Sequence, residues 1–246
     1  MAPGVKTVNF VSNNLGINAN LLLVFDDDSK AGLYKDYYPS AFAVRKFGAK
    51  NIYRSPIIYR TQLAFTKVVI SDDIIQSAST EVPINVGQST ILSLEDEIYS
   101  FSDPKTDGLV PRNNIRCTNN VPFKEDIGVG FIEEEGDVPR TALVWRGVAH
   151  GRKLDAEFIP RLRGYIDINP YKENGVIKAP IGTDRLFNQD LNTLHKESTW
   201  VITYDASNGV FFKCWLPSIT DMYSICAVSM SFSSCKPIPF VVQLVF

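Results

Sequence analysis

The sequence is short of the residues on which most catalytic machinery depends. It has only two histidines, His150 and His195. A Ser-His-Asp or Cys-His system needs one of them beside a nucleophile and oriented by a third group. No G-x-S-x-G elbow occurs, and no cysteine stands in a protease context. A zinc site built from His and Cys requires several ligands at short spacing, and these are absent. Gly128-Val129-Gly130 lacks the third glycine and the following helix of a dinucleotide loop, and there is no P-loop. Paired carboxylates are recognised by geometry rather than spacing, so a carboxylate-only enzyme is the one catalytic class left open. The shortage points to binding rather than catalysis, and the protein is expected not to be an enzyme.

Charge of one sign is lacking too. With 25 Lys and Arg against 27 Asp and Glu the net charge is −2. Phosphate backbones are held by clustered cations that release counterions, and no such cluster is present, so no nucleic-acid partner is expected. No run approaches the roughly 18 apolar residues of a membrane-spanning helix. The opening Met1-Ala2-Pro3-Gly4-Val5-Lys6-Thr7 has no apolar core of a secretory signal, and no Asn-x-Ser/Thr sequon occurs. Four cysteines without CxxC spacing are ordinary usage. Together these absences lead to the expectation of a reduced, cytoplasmic protein.

Helical periodicity is scarce as well. Short helices are expected only over Lys30–Tyr38 and over Thr183–Lys196. In the second, Thr183 or Asp184 would cap and Leu186, Phe187, Leu191 and Leu194 would share one face. Strand signals recur instead, at Val5–Phe10, Ala19–Phe25, Phe42–Phe47, Ile57–Ile70, Thr80–Val86, Ser89–Phe101, Val129–Ile132, Thr141–Ala149, Arg161–Ile168 and Val176–Pro180. The clearest hairpin is Thr199–Asp205, then Ala206-Ser207-Asn208-Gly209, then Val210–Leu216, because Asn and Gly tolerate the positive φ of such a loop. Tyr223–Phe232 and Pro239–Phe246 read as further strands. Ser102–Asn120, rich in Asp, Pro, Gly and Asn, reads as a long surface loop. No repeat or linker divides the 246 residues. The expected architecture is an all-β, mainly antiparallel, single-domain β-sandwich over residues 1–246 with one or two short helices. A chain of this length buries roughly 70% of its unfolded surface and needs no staples.

Two features point to binding. Asp26-Asp27-Asp28 follows directly on an apolar strand, and three adjacent carboxylates repel one another unless a hard cation such as Ca²⁺ relieves them. Asp26 and Asp28 are the candidate ligands, and a charged loop after a strand is the alternative. Asn188-x-Asp190-x-Asn192 places oxygens at alternate positions without the glycine and glutamate of an EF-hand loop. The second feature is aromatic. Tyr34, Tyr37 and Tyr38 crowd into one octapeptide, with Arg45-Lys46-Phe47, Tyr53-Arg54 and Tyr59-Arg60 beyond it. Tyr and Trp offer large contact area with a polar handle, which suits ligand pockets and sugar stacking. Trp145 and Trp200 lie within strands, where they serve either as core or as the lining of a pocket between sheets. The candidate ligand-binding residues are therefore Tyr34, Tyr37, Tyr38, Trp145 and Trp200. Cys214 and Cys226 would fall nearly opposite each other if their strands pair, either as a thiol pair or as two small apolar residues on a buried face.

The opening Val8-Asn9-Phe10-Val11-Ser12-Asn13-Asn14 running into Ala19–Asp28, with the late hairpin Thr199–Leu216, resembles the β-rich, signal-less soluble proteins of mushroom fruiting bodies. That group includes lectins, pore-formers and coloured proteins. The resemblance leans to the coloured members, which are single domains holding a non-peptide chromophore. It implies a non-covalent organic ligand, a pigment among the options, and carries no ligand residues with it. The alternative it leaves open is a carbohydrate- or membrane-binding module. The expected partner is a small molecule, and a homo-oligomer is left open.

Overall fold

The computed structural model describes residues 4–25, 30–60, 62–76, 79–132, 138–167 and 171–216. By internal contacts the chain divides into Met1–Leu216 and Pro217–Phe246, and all described residues belong to the first unit. The expected strands Tyr223–Phe232 and Pro239–Phe246, with Cys226, lie outside the described residues.

The strands in chain order are β1 (Val5–Asn13), β2 (Ala19–Val24), β3 (Tyr38–Pro39), β4 (Ala43–Phe47), β5 (Ile52–Arg60), β6 (Leu63–Lys67), β7 (Ile70–Ser71) and β8 (Ile74–Ile75). They continue as β9 (Thr80–Ile84), β10 (Gln88–Glu95), β11 (Ile98–Phe101), β12 (Lys105–Thr106), β13 (Asn114–Asn119) and β14 (Glu125–Phe131). The last are β15 (Arg140–Val148), β16 (Lys153–Glu157), β17 (Arg161–Asp167), β18 (Arg185–Asp190), β19 (Glu197–Asp205) and β20 (Val210–Leu216). The fold is all-β. Four larger sheets run in the orders β20-β19-β1-β5, β11-β10-β13-β16, β3-β15-β14-β6-β9 and β18-β17-β2-β4, and β7 pairs with β8 alone. None closes into a barrel. Antiparallel pairing prevails, as expected; β1–β19 and β10–β13 are the parallel ladders.

Strand alternation decides what faces the core. In β1, Val8, Phe10 and Ser12 are buried while their neighbours are partly exposed, the period-2 signature of a sheet with one covered face. A single large cluster gathers residues from all four larger sheets, including Phe10, Leu23, Phe65, Leu92, Val129 and Trp200. Its centre is a knot of rings: Phe131 lies 4.8 Å from Tyr59, 4.6 Å from Phe158 and 5.0 Å from Phe25, and Phe25 lies 4.8 Å from Phe42. Edge-to-face pairs of this kind add about 0.5–1.5 kcal/mol each beyond the area they bury. Gly130 sits where β14 shifts register against β15; a Cβ there would lie 1.9 Å from the Arg140 carbonyl oxygen, so only glycine lets the two strands close.

The helices expected over Lys30–Tyr38 and Thr183–Lys196 are not formed. In the first, Gly32 (φ +94°) and Tyr34 (φ +62°) leave the helical region. The Gly32 carbonyl instead accepts from the amides of Lys35, Asp36 and Tyr37 in a tight turn. In the second, Arg185–Asp190 pairs with β17 as strand β18. Only a 3-10 turn, Leu191–Thr193, follows, capped by the Asp190 side chain accepting from the Asn192 amide. Asp190 is thereby engaged as a cap.

The long loop expected over residues 102–120 ends early, because Asn114–Asn119 is β13, a buried strand carrying Ile115 and Cys117 into the core. Flanking Asp, Pro and Asn hide its short apolar alternation. Val176–Pro180 contributes only one isolated bridge, Ser40 to Val176, rather than a strand; the preceding Gly175 bridges Ile74. Ile57–Ile70 divides into β5 and β6, and Ser89–Phe101 turns back on itself at Asp96 and Glu97, both at positive φ. The hairpin Thr199–Leu216 forms in the expected register, from Thr199 opposite Leu216 to Asp205 opposite Val210. Its loop is fixed by Gly209 at φ +67° and by the Asp205 carboxylate, which accepts from the Ser207 amide and the Asn208 side chain.

Candidate functional site

The five aromatic residues singled out from sequence do not converge. Trp200 is fully buried on β19, edge-on to Phe10 at 5.4 Å and Phe187 at 4.7 Å, with the Lys213 ammonium 3.5 Å above its ring. It belongs to the core and not to a ligand surface. Tyr34 packs on a second, smaller cluster formed by Leu22, Val24, Ala41, Tyr165 and Ile177. Tyr38 lies in β3 opposite Val144.

Tyr37 and Trp145 do meet. The turn at Gly32 ends by donating the Tyr34 amide to the Tyr37 carbonyl, which fixes the backbone from which the Tyr37 ring projects. That ring stacks on the indole of Trp145, held on β15, with centroids 5.1 Å apart and planes inclined by 27°. Both side chains are half-buried. The strain of a bulky residue at positive φ, here Tyr34, costs on the order of 1–3 kcal/mol and is tolerated where surrounding structure over-determines it.

Tyr37 is also one wall of a shallow cleft whose enclosed space is about 20 Å³, room for about one water molecule. Phe25, Phe158, Leu143 and Ile159 supply its apolar lining. Phe25 and Phe158 belong at the same time to the ring cluster around Phe131, so the cleft opens directly onto the aromatic core. Lys30 and Glu157 complete the lining, the ammonium bonded to the carboxylate and each side chain about one-third exposed. Behind the cleft, burial holds the Tyr59 phenol well above its ordinary range, with the nearby Asp190 charge adding to the effect. Tyr59 is a neutral core ring at any physiological pH.

Of the cleft residues, sequence reading found Tyr37, with Trp145 behind it. It did not find Lys30, Phe25, Leu143, Glu157, Phe158 or Ile159. The segment Ala156-Glu157-Phe158-Ile159 carries no motif, and its role arises only because β16 pairs with β13 at the sheet edge.

Asp26 and Asp28, the candidate Ca²⁺ ligands, lie outside the described residues, between two that line the cleft, Phe25 and Lys30. Among the described residues no group of three or more His, Cys, Asp or Glu side chains is gathered as a metal site. His150 is an exposed turn residue whose Nδ1 lies 2.9 Å from the Val121 carbonyl oxygen. A second, more polar cleft of about 180 Å³ runs between Val138–Thr141 and the Gln76 and Asn174 loops, and none of the sequence-derived candidates lies in it. Among the described residues no helix is long and apolar enough to cross a membrane.

Fold and site together define an all-β protein with a small aromatic cleft whose lining includes an ion pair. Comparison with protein-family models, with curated proteins and with solved structures finds no match to any of them.

Proposed function

We propose that this protein is a non-enzymatic binder of a small, largely apolar or aromatic molecule, a pigment among the options, and that the cleft beside Tyr37 holds it. The observation that carries the reading is the Tyr37–Trp145 stack set beside a cleft floored by Phe25 and Phe158. Such sites are predominantly apolar and aromatic with a few polar groups that orient the ligand, here Lys30 and Glu157. The enclosed space is about 20 Å³, well below the roughly 300–1,000 Å³ of ligand pockets, so a bound molecule has to displace the lining side chains. The resemblance to coloured mushroom proteins, the pink chromoprotein of an oyster mushroom in particular, agrees with an organic ligand.

Absorbance above 300 nm and native mass of protein purified from its source test this reading. A bound aromatic molecule adds absorbance and mass to the polypeptide. Protein that is colourless and shows the bare polypeptide mass overturns it. The half-buried stack also favours a second reading, a carbohydrate-binding module using Tyr37 as a stacking platform. Glycan-array binding that is lost in Tyr37→Ala would support that reading over the first.

A further inference from the structure

The second cleft is the roomier of the two. Its space of about 180 Å³ holds roughly a dozen waters at about 10–15 Å³ each, against about one beside Tyr37. Ile75 and Pro139 supply a buried apolar lining, with the exposed Val138 beside them. The polar side chains are those of Gln76, Asn174, Arg140 and Thr141, and the Thr141 hydroxyl is already bonded to that of Thr66 at 3.2 Å. Asn174 is held firmly by its backbone. At φ +64° its amide donates to the Ala41 carbonyl, and its own carbonyl accepts from the Ile75 amide. Its side-chain amide nevertheless makes no hydrogen bond among the described residues. The Gln76 side chain reaches only the Ile74 carbonyl at 3.4 Å, beyond the usual N–H···O range. Two exposed amides with unused donors and acceptors therefore border a space large enough for a small molecule.

We infer that this second cleft binds a neutral sugar of one ring, as a free monosaccharide or as the end residue of a glycan. Each side-chain amide carries two N–H donors and an acceptor oxygen, and neighbouring sugar hydroxyls each donate and accept, so one amide can serve two hydroxyls. Ile75, Val138 and Pro139 suit the C–H face of the same ring. An anion is the poorer fit. The Arg140 guanidinium already donates to the Glu173 carboxylate and the Phe42 carbonyl, and Arg45 holds the other oxygen of Glu173 at 2.9 Å. A wholly apolar molecule would cover the two amides without pairing them, which is costly. This inference is separate from the reading of the cleft beside Tyr37 and does not depend on it.

Saturation-transfer NMR at neutral pH tests it, with glucose, galactose, mannose and N-acetylglucosamine as neutral sugars, glucuronate as the anion and cyclohexanol as the apolar ring. At least one neutral sugar is expected to bind with a millimolar Kd, at least tenfold more tightly than glucuronate or cyclohexanol. Its methyl glycosides separate the two sources: one anomer accepted marks a glycan end, both rejected a free monosaccharide. The side-chain amide resonances of Gln76 and Asn174 are expected to shift on binding, a readout that needs no substitution. Asn174→Gly, which keeps the positive φ while removing the amide, and Gln76→Ala are each expected to weaken binding at least about fivefold with the circular dichroism spectrum unchanged. The inference is overturned if no neutral sugar binds at millimolar concentration, if glucuronate or cyclohexanol binds as tightly, or if affinity survives both substitutions. Binding lost in Tyr37→Ala but kept in both of these variants also overturns it, and assigns the sugar to the Tyr37 platform. None of these results bears on the apolar ligand, which the absorbance and native mass of the source protein decide.

Discussion

Tyr37 lies on Trp145 with ring centroids 5.1 Å apart, joining a strained turn to β15, the strand that pairs with the one the turn leads into. The turn residue arrives from the Gly32 loop and the indole from β15, which pairs with both β3 and β14. Because each ring is the other's cover, the wall of the cleft depends on the pair and not on either residue alone.

Trp145→Ala is accordingly expected to lower stability by about 2 kcal/mol, less than the 3–5 kcal/mol typical of a fully buried Trp because this one is half-buried. Trp145→Phe keeps a stacking partner and is expected to cost about 1 kcal/mol or less. Urea titration followed by circular dichroism measures both. Equal loss in the two variants would show that the stack contributes nothing.

Trp200 provides the contrast. Its indole N–H is buried with no hydrogen-bond acceptor among the described residues. Trp200→Ala is expected to cost about 3–5 kcal/mol through the cavity it leaves. Trp200→Phe removes an unsatisfied donor along with some volume, and the two partly cancel to about 1.5 kcal/mol or less. Neither change is expected to alter binding at the cleft, since Trp200 does not line it. A large effect of Trp200→Phe on ligand affinity would contradict the assignment of this residue to the core.

A polar tie joins two of the sheets. The Glu125 carboxylate on β14 accepts from the Tyr99 hydroxyl on β11 at 2.8 Å and pairs with the Lys67 ammonium on β6 at 3.0 Å, and Glu125 is only 6% exposed. The same hydrogen bond, with some burial, raises the Tyr99 phenol. Glu125→Gln keeps an acceptor for Tyr99 but leaves the Lys67 ammonium uncompensated, and is expected to cost about 3–5 kcal/mol. The paired change Glu125→Leu with Lys67→Met removes both charges and is expected to cost less than Glu125→Gln alone. Denaturant midpoints of the two variants, compared directly, decide it.

Alkaline pH offers a further test. Cys117 is fully buried on β13, and loss of hydration pushes its thiol up to about 12 from an ordinary 9.0. The sign follows. Below about pH 9 the thiol is protonated in both states and the burial has no pH-dependent effect. Above it the unfolded chain ionises and the folded one does not, so stability falls as pH rises, by up to about 1.4 kcal/mol per unit until about pH 12. Tyr59, also raised by burial, adds to the loss once free phenols ionise. Cys117→Ala is expected to flatten the part of the stability profile between pH 9 and 10. An unchanged slope in that variant would exclude the thiol as the source.

The all-β class was legible because strand alternation and turn residues are local signals. The hairpin Thr199–Leu216 is the clearest case, since Asn208 and Gly209 specify the loop and the loop specifies the register. The failed helix at Lys30–Tyr38 is the opposite case. Its polar and aromatic composition admits a helix, and only the positive φ of Gly32 and Tyr34, imposed by the surrounding sheets, makes it a turn.

By itself the sequence determined the class of fold, the position of most strands and the absence of recognisable catalytic motifs. Those properties follow from residue type and near-neighbour spacing. Tertiary structure decided which aromatics serve the site. Trp145 and Trp200 are the same residue in the same kind of strand. Register and neighbouring sheets put one half in solvent beside Tyr37 and seal the other between Phe10 and Phe187. The cleft itself unites Phe25, Tyr37, Leu143 and Phe158, residues brought together from distant strands. Contacts so far apart along the chain leave no periodic trace, and only the pairing of sheets creates them.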